Sequence, residues 1–137
     1  MTTLNQDLTA CNTRTVLLVD DNEMNMQLQS DLLEIEGFRV LKAVTAKEAL
    51  DRVRVDLPDL VLMDVSLPDM DGLAATRLLK NDSKTAAIPV VALTAQAMAG
   101  DKEQALSAGC TGYIVKPIDT RRFAQTVRGF INERNTK

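Results

Sequence analysis

The chain has no histidine, and that single absence removes whole classes of chemistry. Ser-His-Asp and Cys-His nucleophile arrangements need an imidazole base, and imidazole-based metal sites go with them. Cysteine is scarce as well. Cys11 and Cys110 are the only two, and they form neither a CxxC pair nor a zinc spacing. They read as free thiols of a reducing compartment, with one disulfide as the alternative. Long apolar runs are missing: the stretches at 16–19 and 60–63 fall far short of the roughly 20 residues that span a bilayer. The opening MTTLNQDLTACNTR lacks the basic start and apolar stretch of a secretory signal. A cytoplasmic protein without membrane insertion is expected.

Clustered positive charge is absent from most of the chain. Residues 1–115 hold 10 basic and 17 acidic side chains, a net −7, whereas 116–137 hold 6 and 2, a net +4, within an overall −3. Phosphate backbones are bound by clustered Lys and Arg, so the body is not expected to contact nucleic acid directly. What is present suits an ordinary globular protein: 137 residues, 45% apolar and 26% charged, enough for one domain. Residues 1–14 are polar and aperiodic and read as a loose leader, 15–133 as the domain and 134–137 as a short tail.

Within 15–133 a rhythm repeats. The run at 16–19 stops at Asp20-Asp21, and a helical pattern follows with Met24, Leu28, Leu32 and Ile35 on one stripe, closed by Gly37. A weaker strand at 38–43 leads to a capping-box signature, Thr45 with Glu48, and a helical face of Ala46, Ala49, Leu50 and Val53 that Pro58 ends. A third strand at 60–63 ends at Asp64. The loop from Val65, containing Pro68 and Gly72, enters a helix reaching about Lys80. A strand at 90–93 ends at Thr94, a helix over 97–108 is closed by Gly109, and a strand at 113–115 ends at Lys116-Pro117. The last helix is expected over 121–133, capped by Asp119 or Thr120. Five strands alternate with five helices, and several strands are apolar throughout, as in a parallel sheet covered on both faces. Right-handed crossovers then give a doubly wound, three-layer α/β sandwich.

In such a sheet ligands bind beyond the carboxyl ends of the strands. The residues there are Asp20, Asp21, Asp64, Thr94 and Lys116, all polar. Three carboxylates at one edge repel each other, and a pKa rises unless a counter-ion sits among them. With oxygen ligands alone, a hard cation fits: Mg²⁺, with Mn²⁺ as a substitute and Ca²⁺ less suited. A hydroxyl from Thr94 and an ammonium from Lys116 suit phosphoryl oxygens, and a carboxylate beside them can form an acyl phosphate.

The segments VLLVDDNEMN, LVLMDVSLPDMDG, VALTA and GYIVKP, each at the end of an apolar strand, resemble the receiver domain of two-component response regulators. The resemblance covers about 15–133 and implies a flavodoxin-like (βα)5 fold with a five-stranded parallel sheet. It implies that Asp64 accepts a phosphoryl group from a phosphohistidine on a sensor histidine kinase or a histidine phosphotransfer protein. It further implies that Asp21, Asp64 and the Ser66 carbonyl bind Mg²⁺ directly, while Asp20 acts mostly through a coordinated water. Lys116 and Thr94 would hold the phosphoryl oxygens, with the Lys116–Pro117 bond cis. Tyr113 would follow Thr94 inward, and the small Ala95 would leave room. Ser66 and Gln96 stand where the family varies and tunes the lifetime of the phosphorylated state. Output would reach a downstream protein through the fourth helix, fifth strand and fifth helix.

Other residues read more plainly. Asp69 and Asp71 are turn formers, the methionines (Met24, Met26, Met63, Met70, Met98) fill gaps, and Arg121, Arg122, Arg128 and Arg134 make the wet face of the last helix. An aspartyl phosphatase would carry a second Asp two residues after its nucleophile, where Ser66 stands. A flavin carrier would need a Ser/Thr/Gly-rich loop where Asp20-Asp21-Asn22-Glu23 stands. The initiating Met and short tail suggest a complete gene product; a stand-alone regulator, a relay intermediate and a receiver excised from a hybrid kinase stay open.

Overall fold

Short runs of Val, Leu and Ile build the strands β1 (Thr15–Val19), β2 (Arg39–Ala43), β3 (Leu60–Asp64), β4 (Val90–Thr94) and β5 (Gly112–Val115). The computed structural model describes residues 14–65, 67, 69–94, 101–116 and 118–135, the side chains of 101–102 and 132–135 excepted. The strands form one parallel sheet in the order β2-β1-β3-β4-β5. Five helices alternate with them: α1 (Glu23–Ile35), α2 (Ala46–Asp56), α3 (Gly72–Lys80), α4 (Asp101–Ala108) and α5 (Phe123–Asn135). The (βα)5 sandwich expected from the sequence is the fold observed.

Alternation within the strands sorts the core into two layers. Val16, Leu18, Leu60, Leu62, Val91 and Leu93 pack with Met26 and Leu33 of α1 and Phe123, Val127 and Ile131 of α5. Leu17, Val19, Val61, Met63, Val90 and Ala92 pack with α2, α3 and α4 through Ala49, Val53, Ala75, Leu79 and Ala105. Only strands covered on both faces read as continuous apolar runs. That is why β3 is buried along its whole length, whereas the edge strands β2 and β5 are mostly only partly buried or exposed.

Two expectations are corrected. The stripe Met24, Leu28, Ile35 does not face the sheet: these side chains are exposed, Met24 by 82% and Ile35 by 78%. The buried face of α1 is Met26, Gln29, Ser30 and Leu33, with Leu32 partly buried beside it. Two polar residues on the inward face hide the true stripe from a hydrophobicity pattern. The last helix begins at Phe123 rather than 121, because Asp119 accepts the Arg121 N–H at 3.0 Å and closes a turn first. Asp119 thus caps the turn that precedes the helix. The start of the fourth helix at 97–100 lies outside the described residues. Gly37 and Gly109 end α1 and α4 at φ 94° and 107°, as their positions suggest.

Candidate functional site

The chain runs from β1 outward to β2, then returns past β1 to β3, so the strand order reverses between β1 and β3. That reversal opens a crevice at the carboxyl ends. Asp20 and Asp21 leave β1 on one side of it, and Asp64 ends β3 on the other. Carboxylate oxygens of Asp20, Asp21 and Asp64 lie within 4.8 Å of one another. Asp20 and Asp64 are buried, 1% and 6% exposed, while Asp21 is open to solvent.

Lys116 is their counter-ion. Its ammonium donates to Asp20 Oδ2 at 3.1 Å and to Asp64 Oδ2 at 3.2 Å. Burial pulls the Lys116 pKa down, but the hydrogen bond to Asp20 and the Asp64 and Asp20 charges outweigh it, and the net shift is upward. The lysine therefore stays charged at neutral pH. One cation among three carboxylates leaves an excess of negative charge, and the donor set is oxygen only. Those two properties fit a hard divalent ion.

The surroundings fix each carboxylate. Asp20 Oδ1 accepts the Asn22 backbone N–H at 2.9 Å, and Oδ2 also receives Gln29 Nε2 at 3.4 Å. The Asn22 side chain in turn accepts the Asn25 N–H at 3.0 Å and starts α1. Asp64 pairs with Leu93, so the next residue on β4 is Thr94, whose carbonyl accepts the Lys116 N–H at 2.7 Å. Gly72 lies against the backbone of Asp64. A Cβ there would overlap the Asp64 carbonyl oxygen and meet its carbon at 2.9 Å and the Val65 Cα at 3.0 Å. Only glycine allows α3 to start so close to β3.

Asp69 has a role beyond a turn. Its carboxylate accepts the Ala46 and Lys47 N–H groups at 2.9 and 3.1 Å, tying the β3–α3 loop to the start of α2. Thr45 Oγ1 takes the Glu48 N–H at 3.1 Å. The unpaired donors of that helix end are thereby satisfied from two places in the sequence. Those backbone bonds hold the Asp69 carboxyl below its ordinary value. Asp71 caps α3 through the Leu73 N–H at 2.8 Å. Both are structural, as their turn-forming reading implies.

Beside the carboxylates, Thr94, Tyr113, Val65, Leu73, Ala92, Gln104 and Ala105 enclose a cavity of about 40 Å³. Asp20, Asp21, Asp64 and Lys116 are thus brought together as expected, and Thr94 and Tyr113 share one hollow next to them. Ser66, Ala95, Gln96 and Pro117 lie outside the described residues, as do Cys11 and Met98. Cys110 is a buried free thiol whose pKa burial pushes up. The sequence pattern gave no sign of Gln29, which hides among apolar neighbours. The reach of Asp69 across 22 and 23 residues has no local signal either.

Comparison with known proteins decides the family. The response regulator receiver domain matches residues 16–128. This chain belongs to that family. The polar-differentiation response regulator DivK of Brucella ovis is 44% identical over 121 residues, spanning 88% of this chain and 98% of DivK. Among solved structures, a CheY-like receiver from Methanospirillum hungatei superposes with a TM-score of 0.84 at 26% identity, covering 91% of this chain and 98% of that one. The receiver domain of sensor histidine kinase PA1611 from Pseudomonas aeruginosa matches at 0.80 and 32% identity, covering 88% and 98%, and has magnesium coordinated in its active-site cleft. A receiver domain is a phosphoacceptor switch of two-component signalling that works between histidine kinases or phosphotransfer proteins and downstream targets. Its acidic pocket is a magnesium site in that family.

Proposed function

We propose that Asp64 is the phosphoacceptor of this receiver. The observation that carries the reading is the Lys116 ammonium placed 3.2 Å from a buried Asp64 carboxylate at the crevice. In the transfer an Asp64 oxygen bonds to phosphorus as the P–N bond to the donor's imidazole breaks, and the electron pair leaves with the nitrogen. Lys116 pairs with the incoming oxygens, and Thr94 donates its hydroxyl to one of them. Asp21, Asp64 and the Ser66 carbonyl are the residues that would hold Mg²⁺ directly, with Mn²⁺ as a substitute. The ion supplies neutralisation of the charge spread over the phosphoryl oxygens. The burial of Asp20 and its three donors support a water-mediated role for it, and the exposure of Asp21 a direct one.

The reading extends to output. The cavity shared by Thr94 and Tyr113 supports an inward swing of both once phosphate is attached, with Ala95 leaving room and Ser66 and Gln96 setting its lifetime. The α4–β5–α5 face is proposed as the docking surface for the downstream protein; Leu106 and Val115 are apolar and exposed there, 46% and 37%, beside the exposed Arg121 and Arg122. We place the domain at 15–133 and the switch in the cytoplasm, with no catalytic activity beyond its own phosphorylation and slow dephosphorylation.

Acetyl phosphate with Mg²⁺ should add one base-labile phosphoryl group to the wild type and none to Asp64→Asn, read by intact mass. Labelling of the variant at wild-type level would move the acceptor elsewhere. Calorimetric titration should show Asp21→Ala weakening Mg²⁺ more than Asp20→Ala does, and equal losses would reverse the direct and water-mediated assignments.

A further inference from the structure

Asp20 receives three hydrogen bonds, two of them from the Asn22 backbone N–H and from the lysine it shares with Asp64. The third comes from Gln29, less than two helical turns into α1, at 3.4 Å. Its side chain is 2% exposed and stands on the buried face between Met26 and Leu33. A primary amide in that position is costly, because each polar atom removed from water needs a partner. Its nitrogen is spent on Asp20, and its Oε1 has no hydrogen-bond partner among the described residues. Packing alone does not account for it; methionine or leucine would fill the same space and strand no oxygen.

We infer that Gln29 is a positioning residue for the cation site: its amide holds the Asp20 carboxylate at the crevice, and through Asp20 sets how tightly Mg²⁺ is bound. Lys116 alone cannot do this, since its ammonium is divided between Asp20 and Asp64 and is the group the proposed transfer turns toward phosphate. Gln29 stays with Asp20 throughout. Groups of this kind, one step removed from a metal, change affinity by roughly ten- to a hundredfold when removed.

The inference rests on the magnesium reading above, and the test separates the two. Mg²⁺ is titrated calorimetrically into wild type, Gln29→Met, Gln29→Leu, Asp20→Asn and the double variant Asp20→Asn with Gln29→Met. Melting temperatures of the ion-free proteins are measured alongside. The expected result is a roughly tenfold weaker Mg²⁺ Kd in both Gln29 variants with no loss of ion-free stability, since the stranded oxygen is gone. In the Asp20→Asn background the Gln29→Met change should have no further effect. A Kd within about twofold of wild type, or a loss that persists in full without Asp20, overturns the inference while leaving the magnesium site standing. Failure of both variants to fold makes the amide a requirement of the fold and overturns it equally. Absence of Mg²⁺ binding in the wild type itself would instead sink the site reading.

Discussion

Gly72 shows how narrowly single residues define this site. Its α-carbon hydrogen faces the Asp64 carbonyl where any side chain would collide with backbone, and backbone cannot yield as a flexible side chain can. Gly72→Ala should therefore lower stability by about 2 kcal/mol, in the range of overpacking changes, and reduce phosphorylation of Asp64 by shifting β3 or the start of α3. Chemical denaturation and acetyl phosphate labelling would measure the two effects; a variant as stable and as active as wild type would show that the segment relaxes freely. At this scale the sequence was legible wherever a residue's role follows from its place at a strand end. Asp20, Asp21, Asp64 and Lys116 meet as expected because parallel strands leave no other place for them. Gln29 was illegible because a buried amide looks, to any hydrophobicity pattern, like the wet side of a helix. For the same reason the apolar stripe Met24, Leu28, Leu32 and Ile35 misleads: all but Leu32, which is partly buried, face solvent.

Among the elements, α2 and the β3–α3 loop act as one unit because Asp69 bridges them. The bridge is charged, so it depends on acidity. The Asp69 carboxyl titrates below its ordinary value because the folded state donates two N–H groups to it, and Asp82 is lowered by its bond from the Lys84 N–H. A carboxyl with a depressed folded pKa adds stability that is fully present above its unfolded value, about 3.9. That stability is lost as pH falls through the lower folded value. Between pH 7 and 5 the contribution should be flat, and below about pH 4 it should decline. Asp69→Asn should be less stable at neutral pH and lose less on acidification, which urea unfolding at stepped pH would check. An acid limb as steep as that of wild type would contradict the bridge. Element boundaries were readable where a cap signature is local, as at Thr45 with Glu48. They failed at α5, where Asp119 closes a turn before the helix begins.

For the whole molecule, the sheet order is what turns scattered residues into a site. Placing β1 beside β3 and β3 beside β4 puts acid, acid, hydroxyl and lysine in sequence along one edge. An ion that binds only this assembled edge stabilises the fold by mass action, by about 2.7 kcal/mol at a hundredfold excess over its Kd. Thermal melts with and without MgCl₂ should show that gain for wild type and little of it for Asp21→Ala. An identical shift in both would mean that the ion acts elsewhere. The alternation of strand and helix was legible from the (βα)5 pattern, and so was the inward face of α2, Ala46, Ala49, Leu50 and Val53; the strand order, and the inward face of α1, were not.

The lysine that calms the acidic crevice follows directly on β5, 96 residues after one of its partners and 52 after the other. A chain still emerging from the ribosome holds its aspartates long before it holds their ammonium. Competence to carry phosphate, as proposed for Asp64, is therefore withheld until β5 has been made, and a product broken off before β5 would be mute rather than falsely switched on.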